Sequence, residues 1–390
     1  MAKLSNNDIN REGFAVLHGK WGGGNVRSVI GLNAKSEMRN PKFQIGYFAY
    51  PNPTLKNNIP DSRFYEFDEL KTITHPRRRT NVCPPSVDGI SFETSGKLEQ
   101  SVTKSEYIKK IHQIKELLAA GEIYQMCYCI RFRKKFIGSP YALFLRLTEA
   151  NPTDFSAYLN CGDFQIISNS PERFFKVEGN KIITQPIKGT IAKDSGIRKQ
   201  KTENLNRLNP ESCFLFPDKN LKKLLNSDKE RAELDMITDL ERNDVGKICK
   251  YGTLRLAKER EVLELKNLWH TYSQVEGKLE SGLTPDQIIK AMFPGGSITG
   301  CPKKRAMEYI EELEGLPRNI FTGSVGYIQS GVRTPGESGF QMDFNIAIRT
   351  ALVQNGYIEY WAGGGIVADS EPEKEYEECM LKAEKFLKLI

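Results

Sequence analysis

The chain carries no Cys-x-x-Cys pair, no apolar run approaching about 18 residues, no internal repeat and no low-complexity tract. Its eight cysteines are scattered. That excludes a disulfide framework and a zinc ribbon, and predicts the reduced thiols of a cytoplasmic protein. The first residues, MAKLSNN, hold no apolar segment, so neither a secretory signal nor a membrane span is expected. The basic excess is slight for 390 residues, a net charge of +7. It suits a small anionic ligand. It falls short of the clustered basic face that a nucleic-acid-binding protein needs, and the short run HPRRR at 75–79 reads as a solvated loop. The glycine loop at 295–300 has the form GxxxxG, but Cys301 and Pro302 stand where a phosphate-binding loop needs Lys and Ser or Thr. The glycines after Trp21 open no helix, which excludes a phosphate cradle there.

What is present is an alternation of two hydrophobic periods. Residues 1–95 read as short strands between turn clusters, with a strand from Phe43 that stops at Pro51. Residues 94–102 are polar and read as a linker. Thr103 to Glu106 forms a capping box, and Tyr107, Ile111, Ile114 and Leu118 continue at helical spacing to Gly121. The period then changes to two: Tyr124, Met126, Tyr128, Ile130 and Phe132 alternate with Gln125, Cys127, Cys129 and Arg131. This predicts a strand with Gln125 on its second face. Four strands follow at 155–159, 164–168, 173–178 and 181–184. Residues 194–229 read as a polar surface excursion with some helix. Residues 232–246 read as a helix with Glu233, Met236 and Leu240 on one face, and His270 falls in a strand. Pro302 opens a helix that buries Ala306, Ile310 and Leu313. Residues 343–352 read as one strand with Arg349 near its end, 357–362 as another, and 371–389 as a helix carrying Glu375 and Glu378 on one face.

Several residues in this pattern carry chemistry. In the stretch Gln185-Pro186-Ile187-Lys188-Gly189-Thr190, proline fixes φ and glycine frees it, so Lys188 is expected on a constrained turn. A lysine shielded from water there loses its proton more readily and becomes a nucleophile; moving it from about 10.4 to about 7.5 takes about 4 kcal/mol of burial or charge repulsion. Glu233 and the pair Glu375/Glu378 would form an all-oxygen site suited to Mg²⁺ if their helices meet. Glu172, beside Pro171, would serve as a general acid if buried. Taken singly, each of these is more simply a solvated side chain. Periodicity alone does not bring them together.

Six motifs taken in order resemble the chorismate-utilising enzymes: SPERF at 170–174, PIKGT at 186–190, DLERND at 239–244, FPGGSITG at 293–300, IAIRT at 346–350 and GGGIVAD at 363–369. The resemblance covers about residues 103–390. It implies an α/β (α+β) fold of two stacked antiparallel sheets in a sandwich with helices outside. The catalytic core would be residues 101–390, with residues 1–100 adding strands to the same sandwich. Within the family, anthranilate synthase large subunits typically carry Ala before Gly-Thr, and aminodeoxychorismate synthase component I carries Lys. Lys188 therefore implies amination of chorismate at C4, with amination at C2 and loss of pyruvate as the alternative. Gln125 stands where water-adding members have a lysine base, which also implies an amine nucleophile. By the same resemblance Lys188 is the nucleophile and Glu172 the acid. Glu233 and Glu378, with Glu375 beside them, are Mg²⁺ ligands. Arg349, Tyr327 and the Gly364 and Gly365 amides grip a carboxylate, and His270 and Thr190 contact the ring. No glutaminase triad is read in the sequence, so the ammonia is expected from a separate glutamine amidotransferase subunit.

Overall fold

A computed structural model describes residues 4–21, 27–32, 43–67, 71–74, 84–193, 219–264, 268–331 and 339–390. The run at 75–79, the glycines after Trp21 and most of the polar excursion, 194–218, lie outside the described residues. Every described strand pairing is antiparallel, in two large sheets. The first is built around the long Gln125–Gly138 strand, which pairs along its length with Tyr357–Ile366. Beyond it the order continues through Thr350–Gln354, Phe164–Ser170, Phe155–Asn160 and Ala15–Gly19. The second runs from Ile187–Ala192 through Leu268–Lys278, Lys181–Thr184, Arg173–Glu178, Phe340–Asn345, Ser324–Ser330 and Phe43–Phe48 to Ser62–Phe67. Strands from the first hundred residues thus enter both sheets.

Period-two alternation divides most strand residues among three large cores. Ala15 and Leu17 face a buried layer shared with Ile45, Tyr47, Val325 and Tyr327 of the opposite sheet. Val16, between them, faces outward to Tyr141, Phe144 and Tyr158. On the outer side of the first sheet, Met126, Tyr128, Ile130 and Phe132 pack with Tyr107, Ile111 and Ile114 of the Lys104–Ala119 helix and with Cys379, Ala383 and Phe386 of the Pro372–Leu387 helix. On the outer side of the second sheet, Val177, Ile182, Met342 and Phe344 pack with Val245 of the Asp228–Gly246 helix and with Ile288 and Met292 of Pro285–Met292. No described helix is long and apolar enough to cross a membrane.

Three expectations are corrected. The polar stretch at 94–102 is no linker: Phe92–Gln100 is an edge strand paired to Gln125–Gly138. Its residues are mostly exposed, so no alternation marks it. The PIKGT stretch enters a strand, Ile187–Ala192, paired to Leu268–Lys278 with an irregularity between Lys188 and Thr190. Gly189 takes φ +72° there, and a Cβ on it would lie 2.8 Å from Leu224 Cδ1. Residues 343–352 are two strands in different sheets. Phe340–Asn345 belongs to the second sheet and Thr350–Gln354 to the first, so 346–349 is a crossing between layers.

Candidate active site

A second crossing lies beside that one. Phe164–Ser170 belongs to the first sheet and Arg173–Glu178 to the second, so Pro171 and Glu172 also pass between layers. The two crossings are hydrogen-bonded to each other. Ile346 N–H donates to the Glu172 carbonyl (3.1 Å), Ser170 Oγ donates to the Ile346 carbonyl (2.6 Å), and Asn169 N–H donates to the Arg349 carbonyl (3.0 Å). This pairing carries a carboxyl, Glu172, and a guanidinium, Arg349, into one interior region. Arg349 takes φ +51°, the left-handed region, as the chain turns from one sheet to the other.

Glu172 is 6% exposed. Ser297 Oγ donates to its Oε1 at 3.1 Å. Burial pushes its pKa up to about 7. Lys188, the Ser297 hydroxyl, the Ile187 N–H and Arg349 pull the other way. The carboxyl is therefore poised to hold a proton near neutral pH. Ser297 is delivered by the 295–299 loop, which is fastened to the first sheet by a Cys127 N–H to Thr299 carbonyl bond of 2.8 Å. Burial also lowers the Arg349 guanidinium, although Tyr360 and Glu172 favour its charged form.

Lys188 enters from the second sheet. The Thr271 hydroxyl donates to its backbone carbonyl at 2.6 Å. Gln125 enters from the first sheet, fully buried, and neither atom of its side-chain amide has a hydrogen-bond partner among the described residues. A Cβ on Gly365 would fall 2.2 Å from Gln125 Nε2, so the missing side chain there admits the Gln125 amide; the same point is 3.6 Å from Lys188 Nζ, an ordinary contact distance. A Cβ on Gly364 would lie 3.5 Å from Glu375 Oε2 and from Lys382 Nζ, and 3.9 Å from Glu378 Oε1. The glycine run thus lies between the Lys188–Gln125 pair and the acids of the Pro372–Leu387 helix.

Those acids face the Asp228–Gly246 helix. Lys229 Nζ stands 4.0 Å from both Glu233 and Glu375, spanning the two helices. Ser370 Oγ donates to Glu375 Oε1 at 2.6 Å. Burial raises Glu233, Glu375 and also Glu230 above the usual carboxylate range. At Glu378 burial works upward too, but Lys382, at 2.7 Å, together with Lys188 and Lys229 lowers the carboxyl. Among the described residues no three acidic, His or Cys side chains converge into a ready-made metal cage. The donor set is nonetheless all oxygen, from two helices, and already gathers an ammonium. Such chemistry fits a hard cation that keeps most of its water and takes one or two protein carboxylates.

His270 is 3% exposed. Burial and then the Arg349 charge lower it to about 4, against a hydrogen bond to the Gly189 backbone, so it is neutral at pH 7. Thr190 is its strand partner. Tyr327 packs in the layer between the sheets, in the same apolar cluster as Ala347 of the crossing. Three groups were missed by the sequence reading. Lys382 stands four residues after Glu378 and donates to the Gly363 carbonyl at 3.0 Å; the i,i+4 spacing was a usable signal. Ser297 had none. Glu241 shares the buried face of its helix with Leu234, Ile237 and Val245, a 3.6-residue pattern obscured by its polar neighbours.

The model for the family of chorismate binding enzymes matches residues 33–388. Anthranilate synthase component 1 of Thermus thermophilus is 32% identical over 379 residues, 89% of this chain and 77% of that protein. Aminodeoxychorismate synthase component 1 of Bacillus subtilis is 36% identical over 293 residues, 75% of this chain and 57% of that protein. Across the first five such relatives the chain spans between 53% and 77% of their length. Among solved structures, the menaquinone-specific isochorismate synthase of Escherichia coli aligns with a TM-score of 0.72 at 16% identity, over 98% of this chain and 90% of that one. That last likeness is one of fold.

Proposed function

The chain belongs to the chorismate binding enzymes, and on that premise we propose that it converts chorismate and ammonia to 4-amino-4-deoxychorismate, the precursor of 4-aminobenzoate in folate synthesis, with ammonia delivered by a separate glutamine amidotransferase subunit. Relatives named for this activity and for anthranilate synthesis match at similar identity, 36% and 32%, so identity does not choose between them. The observation that carries the choice is the meeting of Lys188 Nζ and the unpartnered Gln125 amide at Gly365. It offers a nucleophilic amine beside a side chain that has no base to activate water.

In this reading the Lys188 amine, as the free base, attacks ring C2. Both ring double bonds shift, C1=C2 to C1=C6 and C5=C6 to C4=C5, the C4–O bond breaks, and Glu172 gives its proton to the departing oxygen, which leaves as water. Ammonia then attacks C4, both double bonds shift back, and Lys188 leaves C2 as the free amine. The new C4 ammonium returns a proton to Glu172. Arg349 and the Gly364 and Gly365 amides offset the substrate's carboxylates, with Tyr327 beside them, and the neutral His270 and Thr190 border the ring. Glu233, Glu375 and Glu378 would hold Mg²⁺, which when bound supplies a Lewis-acid counter-charge to the dianionic substrate.

The test separates the two activities. With chorismate and Mg²⁺ but no ammonium, a covalent adduct of chorismate minus water should appear on the peptide containing Lys188, read by mass spectrometry. Lys188→Ala should lose it. With ammonium the product should be aminodeoxychorismate, which an added lyase turns into 4-aminobenzoate. Fluorescent anthranilate with pyruvate would overturn the assignment.

A further inference from the structure

The loop that delivers Ser297 to Glu172 is held from behind by a buried guanidinium that the scheme above does not use. Arg318 is 1% exposed and stands one helical turn beyond Glu314, the last residue of the Lys303–Glu314 helix. Its Nε donates to Glu314 Oε2 at 2.8 Å and its Nη2 to Glu314 Oε1 at 2.6 Å. Nη2 also donates to the Cys127 carbonyl and Nη1 to the Ile298 carbonyl, each at 3.1 Å. Nη1 reaches Thr322 Oγ1 at 3.2 Å. Every N–H group of the guanidinium thus has an acceptor.

These contacts join two segments of the site. Cys127 lies on the Gln125–Gly138 strand, just after Gln125, and Ile298 directly follows Ser297. The strand grips the same loop on either side of Ile298. Cys127 Sγ donates to the Ser297 carbonyl at 3.5 Å, and the Cys127 N–H donates to the Thr299 carbonyl at 2.8 Å. The carbonyls of Ser297, Ile298 and Thr299 are therefore all fixed, the middle one by Arg318. Glu314 holds the guanidinium in turn, and its Oε1 accepts the Cys129 N–H at 3.0 Å. An interior ion pair is a weak source of stability, since an apolar pair of similar volume often serves as well. An apolar pair could not bind carbonyls of two segments at once, whereas a planar, forked cation can.

We propose that Arg318 is a positioning residue acting through Ser297: its grip on the Ile298 and Cys127 carbonyls sets the loop so that the Ser297 hydroxyl meets the Glu172 carboxyl. That hydroxyl favours the charged form of Glu172, as do Lys188 from the Ile187–Ala192 strand, the Ile187 N–H and Arg349 from the crossing, while burial opposes them. Loosening the loop removes one of these influences, and Glu172 then keeps its proton to higher pH but is less well placed to give it up. The inference rests on the reading of Glu172 as the acid that assists the leaving hydroxyl.

Two experiments test it. The first is infrared difference spectroscopy at about pH 5, without substrate, with Glu172→Gln marking the C=O band of the protonated Glu172 carboxyl. Arg318→Lys keeps a cation beside Glu314 but lacks the fork that spans both carbonyls. It should move the Glu172 band to higher frequency, as Ser297→Ala does, because the carbonyl loses its donor. An unmoved band overturns the proposal. If Arg318→Lys fails to fold, Arg318→Met combined with Glu314→Leu leaves no buried charge unpaired and should move the same band; an unmoved band there overturns the proposal too. The second is the pH profile of chorismate consumption at constant free ammonia. In Arg318→Lys kcat should fall, and its alkaline limb should move by about half a pH unit toward alkali, roughly a threefold change in the protonated fraction along that limb. Ser297→Ala should give the same shift, and the double variant no further one. A uniform loss at every pH, as a merely structural role would give, or additive shifts in the double variant overturn the proposal. The infrared arm needs no turnover: a moved band in a chain that consumes no chorismate supports the clamp and sinks only the activity.

Discussion

Two groups of carboxylates meet in this site, and they are held in opposite ways. Glu172 and Glu241 lie in the interior with hydroxyls against them, those of Ser297 and Thr184. Glu233, Glu375 and Glu378 lie between two helices with ammonium groups against them, those of Lys229 and Lys382. Burial penalises the charged form in both regions. In the first, burial prevails over the hydroxyls and over the charges of Lys188, Arg349 and Lys303, and the two carboxyls rise to about 7 and about 8. In the second, cations offset part of it, and at Glu378 they reverse it. One residue type thus sits against hydroxyls in one place and against ammonium groups in the other, and the balance between burial and nearby charge differs between them.

The largest effect that would sharpen this comparison is at Glu172. Glu172→Gln keeps the shape and a neutral side chain but cannot release a proton to a leaving oxygen. It should lower kcat by about 10²- to 10⁴-fold with the fold intact, measured by chorismate consumption and circular dichroism. Activity within twofold of wild type would remove Glu172 as the acid. The same variant reads out the stability linkage. Glu172 binds its proton up to about pH 7 when folded and to about 4.5 when unfolded. Its contribution is complete below pH 4.5 and is lost as pH rises through 7. Wild-type Tm should carry a downward component between pH 5 and 8 that the variant lacks. His270, lowered to about 4, acts with the opposite sign below pH 6.5.

A smaller effect is expected in the cation-holding region, at Ser370. Its hydroxyl donates to Glu375 Oε1 and accepts from the Val367 N–H at 3.2 Å, fixing the carboxylate against the turn before its helix. If Glu375 holds Mg²⁺, Ser370→Ala should raise the Mg²⁺ concentration for half-maximal turnover by about tenfold, with kcat at saturating Mg²⁺ near wild type. Excess chelator should stop wild-type turnover. A change in kcat alone, at unchanged Mg²⁺ dependence, would place Ser370 with the proton-holding group instead.

The difference between the regions was only partly legible in the sequence. The acids of the Pro372–Leu387 helix were readable because i,i+3 spacing sets them on one face whatever the tertiary structure does. The capping box at Thr103 and the alternation around Gln125 were readable for the same local reason, whereas the fold class came from the resemblance of the six motifs. The two sheet crossings were not. Apolar residues alternate straight through 343–352, no Gly or Pro marks 346–349, and the left-handed φ falls on Arg349. Without the crossings nothing brings Glu172 to Arg349. The linker assigned at 94–102 failed for the converse reason: an edge strand exposed on both faces has no apolar period to read. Glu241 was passed over because a glutamate in the polar DLERND motif is ordinarily solvated, and only the pairing with Thr184, 57 residues away, shows otherwise.

The smallest expected effect tests whether the second region is a cation holder at all. Lys229 is 49% exposed, and its Nζ stands 4.0 Å from one oxygen of Glu233 and one of Glu375. If these carboxylates are arranged to hold Mg²⁺, the ammonium competes with it for the same negative potential. A partly solvated contact of this kind is worth about 0.2–1 kcal/mol. Lys229→Met should therefore tighten Mg²⁺ binding by about two- to fivefold, read by calorimetric titration without chorismate and by the Mg²⁺ dependence of turnover. The methionine keeps most of the side-chain length, so the packing between the helices changes little. The opposite outcome, weaker Mg²⁺ binding in Lys229→Met, would mean that the ammonium holds the carboxylates together instead of competing for them. Glu233 and Glu375 would then be a closed ion cluster like any other between two helices, and the contrast with Glu172 and Glu241 would lose its functional meaning.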